Sequence, residues 1–394
     1  MIDRAFYSRA FLSLVTANML FWMSVNFFLP VLPIYYHSLG MDDHQVGLAI
    51  GAFSLGALIF RIFTGKAADR YGGIPVLTAG MLLSVAAIGG YYFAATLATA
   101  VAARFLHGVG ISGYSAASLT TVTLLHEESR TTEAVAVYTL FSMFGIGIAA
   151  SSANWLLAAG GMPLVVGAGA AATVLALVLF PRGVKLKIKA AASEQLPIRA
   201  VLANPAVYIP TVSLMAVNIC YGSIMTFLPL LMLSRGVTEY NSFYVAYSLT
   251  VIFSRVWINR LCTLMRPETL SFYILVILGS TLLVAGEFTG GWAVALCGAG
   301  IGVGFGLAFP AMATIITNHV QAANRGTAFG FFTMAVDTGF GIGAIGMGAV
   351  AAAWGYGAVF AAAGIYTLAY AALYQLWLRG KIVRVRAEAA QCEG

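Results

Sequence analysis

The sequence predicts an all-α membrane protein with twelve transmembrane helices in two pseudo-symmetric six-helix bundles. Three observations predict it. The 394 residues are 60% hydrophobic and only 9% charged, where soluble chains are about 25% charged. The apolar stretches are long enough to cross a bilayer, about 20 residues each. The second half of the chain also repeats features of the first at a nearly constant spacing.

The spans are drawn roughly over 10–36, 44–64, 74–95, 97–125, 132–158, 162–181, 206–233, 241–260, 269–288, 291–318, 326–352 and 354–378. Backbone groups in hydrocarbon must pair within their own segment, so spans of this length are helices. A barrel would show shorter strands of alternating polarity, and the sequence has no such pattern. The opening MIDRAFYSRAFLSLV places a basic edge before an apolar run that continues to about residue 36. That run is too long for a signal-peptide core and reads as an uncleaved first helix. The longest polar break is PRGVKLKIKAAASEQLPIRAVLANPAV, residues 181–207. It divides the spans six and six. The expected organisation is an N-terminal bundle over 1–181, a linker over 182–205, a C-terminal bundle over 206–380 and a tail over 381–394. The linker is either a basic amphipathic stretch on the membrane surface or a plain solvated connection.

The repeat is read from four matches in order. FLPVL at 28–32 returns as FLPLL at 227–231, Arg61 returns as Arg255, GVGISG at 108–113 returns as GVGFGL at 302–307, and Arg130 returns as Arg325. The spacings are 199, 194, 194 and 195 residues. Orientation follows from the basic residues. With both termini inside, 17 of the 21 lysines and arginines fall in inner segments, one (Arg235) falls outside, and three lie within spans. The net charge of +7 is therefore a positive-inside bias and does not point to nucleic acid. The four cysteines form no CxxC and no metal spacing, so neither a metal nor a cofactor is expected.

Between spans 2 and 3 lies GKAADRYGG, residues 65–73. This segment resembles the signature loop of the major facilitator superfamily, G-x-x-x-D-R-x-G-R-[RK]. Gly65, Asp69, Arg70 and Gly72 match, while Gly73 and Ile74 stand where the family carries its terminal basic pair. RFLHGVG at 104–110 is similar to the family's R-x-x-x-G-x-G element in span 4, often linked to proton coupling. FSMFGIGIAASSANW in span 5 has Gly145 and Gly147 but no proline, a departure from the drug-antiporter pattern. The chain resembles the drug-efflux branch of the superfamily and bacterial exporters of opine-type metallophores such as staphylopine. That resemblance implies alternating access. It implies that helices 1, 4, 7 and 10 line a cavity flanked by 2, 5, 8 and 11. It also implies that the signature loop latches the N-terminal half to helix 11.

Charges inside the spans are few: Arg61, Arg104, Arg255 and Asp337. Each is costly in hydrocarbon and is a functional hypothesis by default. Arg61 and Arg255 are repeat mates that either hold an anionic cargo bidentately or, for Arg61, snorkel to the nearby interface. Asp337 near mid-membrane is either a proton site or a static partner of Arg255 or Arg61, and Arg104 is the second proton-coupling candidate. His107 is a titrating candidate or a hydrogen-bonded packing residue. Asn18, Trp22 and Asn26 share one face of span 1, Arg104, His107 and Tyr114 one face of span 4, and Asn218 and Tyr221 one face of span 7. These faces either line the substrate path or glue helices together.

No GxxxxGK[ST] nucleotide site is apparent, and the membrane inventory is too poor in acids and histidines for a membrane-embedded enzyme. The expected function is a secondary transporter exporting a small amphipathic or anionic organic molecule, with proton coupling, acting as a monomer in the inner membrane. Proton-coupled uptake of a small nutrient such as a carboxylate or sugar is the alternative. The expected partners are the lipid bilayer, a small-molecule substrate and protons.

Overall fold

The computed structural model describes residues 7–125, 130–180, 197–237, 240–287, 291–321 and 324–382. Among these residues there is no strand. The chain divides into two compact units, Met1–Lys189 and Ala190–Gly394.

Unit 1 contains α1 (Arg9–Asn26), α2 (Phe28–Ser38), α3 (Asp43–Tyr71), α4 (Gly73–Tyr92), α5 (Leu97–Leu125) and α6 (Thr131–Leu179). Span 1 is α1 and α2 in series, interrupted only at Phe27. Pro30 lies four residues after Asn26, where a proline can neither bond that carbonyl nor clear it. α3 opens on a capping box in which Asp42 and Gln45 satisfy each other's backbone N–H groups. The 49-residue α6 holds spans 5 and 6, broken at Gly160 and Gly161. Gly161 has φ +63°, a conformation open to glycine at little cost.

Unit 2 begins with the short α7 (Ile198–Ala203), which falls within the expected linker. It continues with α8 (Pro205–Ser234), α9 (Asn241–Leu264), α10 (Pro267–Ala285), α11 (Gly291–His319) and α12 (Arg325–Leu373), followed by a π-helical turn, Tyr374–Leu378. α12 holds spans 11 and 12, broken at Gly355 with φ +77°. The remainder of the expected linker, 182–196, and the tail from 383 lie outside the described residues.

The repeat spacing seen in sequence governs these elements. Gly302 and Gly304 of α11 stand 194 residues after Gly108 and Gly110 of α5. α6 and α12 begin at 131 and 325 and end at 179 and 373, and their glycine breaks fall at 161 and 355, again 194 apart. Packing inside the two units follows the same plan. α1 lies along α6 as α8 lies along α12, and α5 packs on α3 and α4 as α11 packs on α9 and α10.

Lipid tails are as apolar as leucine, so close packing has to supply what hydrophobic burial supplies in water. Glycines make that packing. A methyl group on Gly108 would overlap the carbonyl oxygen of Phe53, and one on Gly302 would come within 2.5 Å of the carbonyl oxygen of Tyr247. These two contacts are themselves repeat mates, 108 with 302 and 53 with 247. The pair Gly110 against Ser84 likewise returns as Gly304 against Leu278. Where unit 2 has Gly298 against the Phe243 carbonyl, unit 1 has Arg104.

One expectation is corrected. GKAADRYGG does not form a loop over its whole length, because α3 continues to Tyr71 and only Gly72 stands outside a helix. Gly72 takes φ +91° and its N–H bonds the Ala68 carbonyl, so one residue ends α3 and turns the chain into α4. Gly65 sits inside the helix with open space around it, and the alanines that follow it favour helix.

Alanine at Gly108 or Gly302 should lower thermal stability in detergent by about 1–3 kcal/mol, the usual cost of overpacking. Alanine at Gly167, which has open space, should leave the midpoint nearly unchanged. A thermal-unfolding comparison of the three variants reads this.

Candidate functional site

The sequence-derived residues fall into two groups, one in each unit. In unit 1, Arg104 is 1% exposed. Its Nη1 donates to the Tyr91 hydroxyl at 3.3 Å and its Nη2 to the Ile50 carbonyl at 3.3 Å. The guanidinium carbon lies 4.5 Å from the centre of the Phe53 ring. No carboxylate pairs with it among the described residues. A buried cation without a counter-ion is expensive, and the ring face and carbonyl offset only part of that cost. His107, one turn further along α5, bonds the same Tyr91 hydroxyl through Nδ1 at 2.6 Å. Its ring stands edge-on to Phe28 and Phe53, and its buried Nε2 has no hydrogen-bond partner. Arg104, His107 and Tyr91 therefore form one polar cluster joining α3, α4 and α5.

Tyr114 lies two turns further along α5 from His107 and belongs to a different network. Its hydroxyl donates to Asn18 Oδ1 at 3.0 Å, while Asn18 Nδ2 donates to the Tyr138 carbonyl at 3.1 Å and to Ser142 Oγ at 2.6 Å. The Tyr114 ring stacks on Phe21 at 3.8 Å. α1, α5 and α6 are thus held together by one asparagine. Asn26 makes a contrast, since its amide only returns to the Trp22 carbonyl on its own helix at 2.8 Å. Trp22 is half-buried.

Arg61 is half-buried on α3. Thr64, the next turn, joins α3 to α5 through Ser112 at 2.8 Å. In the signature segment, Arg70 is exposed and its guanidinium lies 5.3 Å from the Tyr71 ring. The Asp69 side chain lies outside what the structure describes.

In unit 2, Tyr221 on α8 is the centre of an aromatic group. Phe305 of α11 stacks on it at 4.3 Å, Tyr247 of α9 at 6.1 Å, and Phe340 of α12 lies at 5.9 Å. Arg255, two turns beyond Tyr247 on α9, reaches the Phe309 ring at 6.0 Å. Its enclosed Nε has no hydrogen-bond partner, and no carboxylate pairs with it among the described residues. Asp337 is half-buried on α12, three residues before Phe340. Asn218, 1% exposed, bonds the Leu214 carbonyl of its own helix at 2.8 Å and packs against Gly339 of α12.

Sequence reasoning missed Tyr91 and Ile50 beside Arg104, and Tyr247, Phe305 and Phe309 beside Tyr221 and Arg255. Phe305 and Phe309 carry a readable signal: they stand one turn apart on α11, immediately after Gly302. Glu268 was also missed. It is 3% exposed in the first turn of α10, where the helix N-terminus favours an anion.

Two helical units on one repeated plan, each with an arginine in an apolar helix that has no carboxylate partner among the described residues (Arg104 and Arg255), have the build expected of a membrane transporter. A family model described as Major Facilitator Superfamily matches residues 14–337, and the chain belongs to that superfamily. As a member it is a transporter of small molecules and not an enzyme. Over 362 residues it is 24% identical to the staphylopine export protein of Staphylococcus aureus, covering 86% of this chain and 89% of that one. It is 31% identical over 96 residues to the multi-drug resistance efflux pump PmrA of Streptococcus pneumoniae, 23% of this chain and 24% of that one. A solved bacterial homologue of the human lysosomal transporter Spinster has the same fold. Its TM-score is 0.79 at 14% identity, covering 97% of this chain and 99% of that one.

Replacing Asn18 by alanine should cost about 1–3 kcal/mol, because it leaves the buried Tyr114 hydroxyl without its acceptor. The same change at Asn26 should cost well under half of that. Thermal unfolding of the two variants in one detergent distinguishes them, and equal losses would contradict the assignment.

Proposed function

We propose that the protein exports a small amphipathic or anionic organic molecule, a drug-like compound or a metallophore, by proton-coupled alternating access. The observation that carries this reading is the likeness to the staphylopine export protein along 86% of the chain. Arg255, which has no carboxylate partner among the described residues, supports an anionic cargo. The signature segment, Gly65, Asp69, Arg70 and Gly72, serves as a latch in this reading, and both termini lie on the cytoplasmic side of the bacterial inner membrane. The protein works as a monomer.

Asp337 is the acid that exchanges the proton, with Arg104 as the second coupling residue. A carboxyl group half-enclosed by α12 and its neighbours is held where its charge depends on what lies beside it. For export driven by an inward proton gradient the proton and the cargo occupy the carrier in alternation, so proton uptake by Asp337 on the outer side and release on the inner side would accompany return of the empty carrier. Proteoliposomes with an imposed pH gradient test this. The wild-type protein should move a fluorescent efflux dye or a staphylopine-like carboxylate faster with the gradient than without it. Asp337→Asn should keep gradient-independent exchange but lose the acceleration. Full gradient dependence in Asp337→Asn would remove Asp337 as the coupling group.

A further inference from the structure

We infer that unit 2 carries a binding surface for an aromatic carboxylate, formed by Tyr221 and Phe305 for the arene and by Arg255 for the carboxylate. This inference rests on the transport reading above and names the substrate class.

The first observation is accessibility. Tyr221, Phe305, Phe309 and Arg255 are each half-buried. On α9 the exposed large apolar side chains are Val245, Leu249, Phe253, Val256, Trp257 and Leu264, which recur at helical spacing and make one apolar stripe of the kind that faces lipid. At 100° per residue, Arg255 and Tyr247 fall on the opposite side of that helix. On α11 the exposed side chains Trp292 and Leu296 mark a stripe from which Phe305 and Phe309 also turn away. The aromatic group and the guanidinium therefore share a partly open face of the unit that is not its lipid face.

The second observation is chemistry. Arg255 has a ring face beside it and no carboxylate among the described residues. A guanidinium in that state is a ready partner for a carboxylate, which it grips with two parallel N–H groups. Tyr221 and Phe305 are stacked within 20° of parallel. They offer an extended π surface on which a further ring gains offset stacking. Phe305 and Phe309 are one helical turn apart, about 6 Å, and Arg255 lies against Phe309. The surface thus reads two features in order, a ring at the Tyr221 end and a negative group about one turn away. In unit 1 the buried guanidinium of Arg104 is already held by Tyr91 and Ile50, and its repeat mate in unit 2 is Gly298.

Equilibrium binding to the purified full-length protein in detergent tests this with three probes: 4-phenylbutyrate, its neutral amide, and octanoate. The acid should bind about tenfold more tightly than the amide, the loss expected when a charge-assisted pair is removed, and more tightly than octanoate. Arg255→Gln should abolish the preference for acid over amide and leave the preference for phenyl over alkyl. Phe305→Leu should do the reverse, and Arg255→Lys should restore part of the acid preference. No preference for 4-phenylbutyrate over both comparators in the wild type would overturn the inference, as would loss of both preferences together in Arg255→Gln with the fold intact by thermal unfolding. Binding needs neither a gradient nor a direction of transport. The vesicle experiment and this one can therefore fail independently.

Discussion

The constraint on which the rest of the structure depends is close backbone approach between helices that have no hydrophobic reason to associate. Gly108 against the Phe53 carbonyl and Gly302 against the Tyr247 carbonyl bring α5 onto α3 and α11 onto α9. In hydrocarbon such contacts replace the driving force that water provides elsewhere. Once these pairs are fixed, α4 and α10 have a groove to fill, and α6 and α12 close each unit from the other side. Glycine at 161 and 355 then lets one continuous run of sequence reverse and serve as two spans.

Against this symmetric background the two units depart from each other in their polar and aromatic residues. Position 104 is arginine where its mate, 298, is glycine. In unit 2 the backbones meet directly, whereas in unit 1 a guanidinium crosses from α5 to the Ile50 carbonyl of α3 and gathers Tyr91 and His107 around it. Unit 2 instead concentrates aromatic rings, with Tyr221 at their centre and Arg255 two turns beyond Tyr247. Two units with the same helix plan thus present different polar interiors.

The network around Asn18 shows how polar residues serve both roles. One amide ties three helices, and Tyr114, on the same face of α5 as Arg104, completes it. Polar character at helical spacing therefore marks where helices meet as reliably as where cargo passes. Only hydrogen-bond partners separate the two. By that measure Asn18 and Tyr114 are engaged with neighbouring helices, while Arg255 has no carboxylate partner among the described residues.

By itself the sequence determined the class, the spans and the internal repeat. Length and apolarity admit only helices in lipid, and a fixed spacing between matching residues needs no third dimension to be seen. It also marked Arg61, Arg104, Arg255 and Asp337, because charge in an apolar run is visible wherever it falls. Tertiary structure decided which neighbours those charges have. Tyr91 reaches Arg104 from α4, and Phe305 and Phe309 reach Tyr221 and Arg255 from α11, across separations of 13 to 84 residues that no periodicity connects. Tertiary structure also decided that GKAADRYGG is mostly helix. The turn there needs a single positive-φ residue, and Gly72 supplies it while Gly65 stays in the helix. Periodicity reports which face of a helix a residue occupies, but what stands opposite that face depends on contacts between segments distant in the chain.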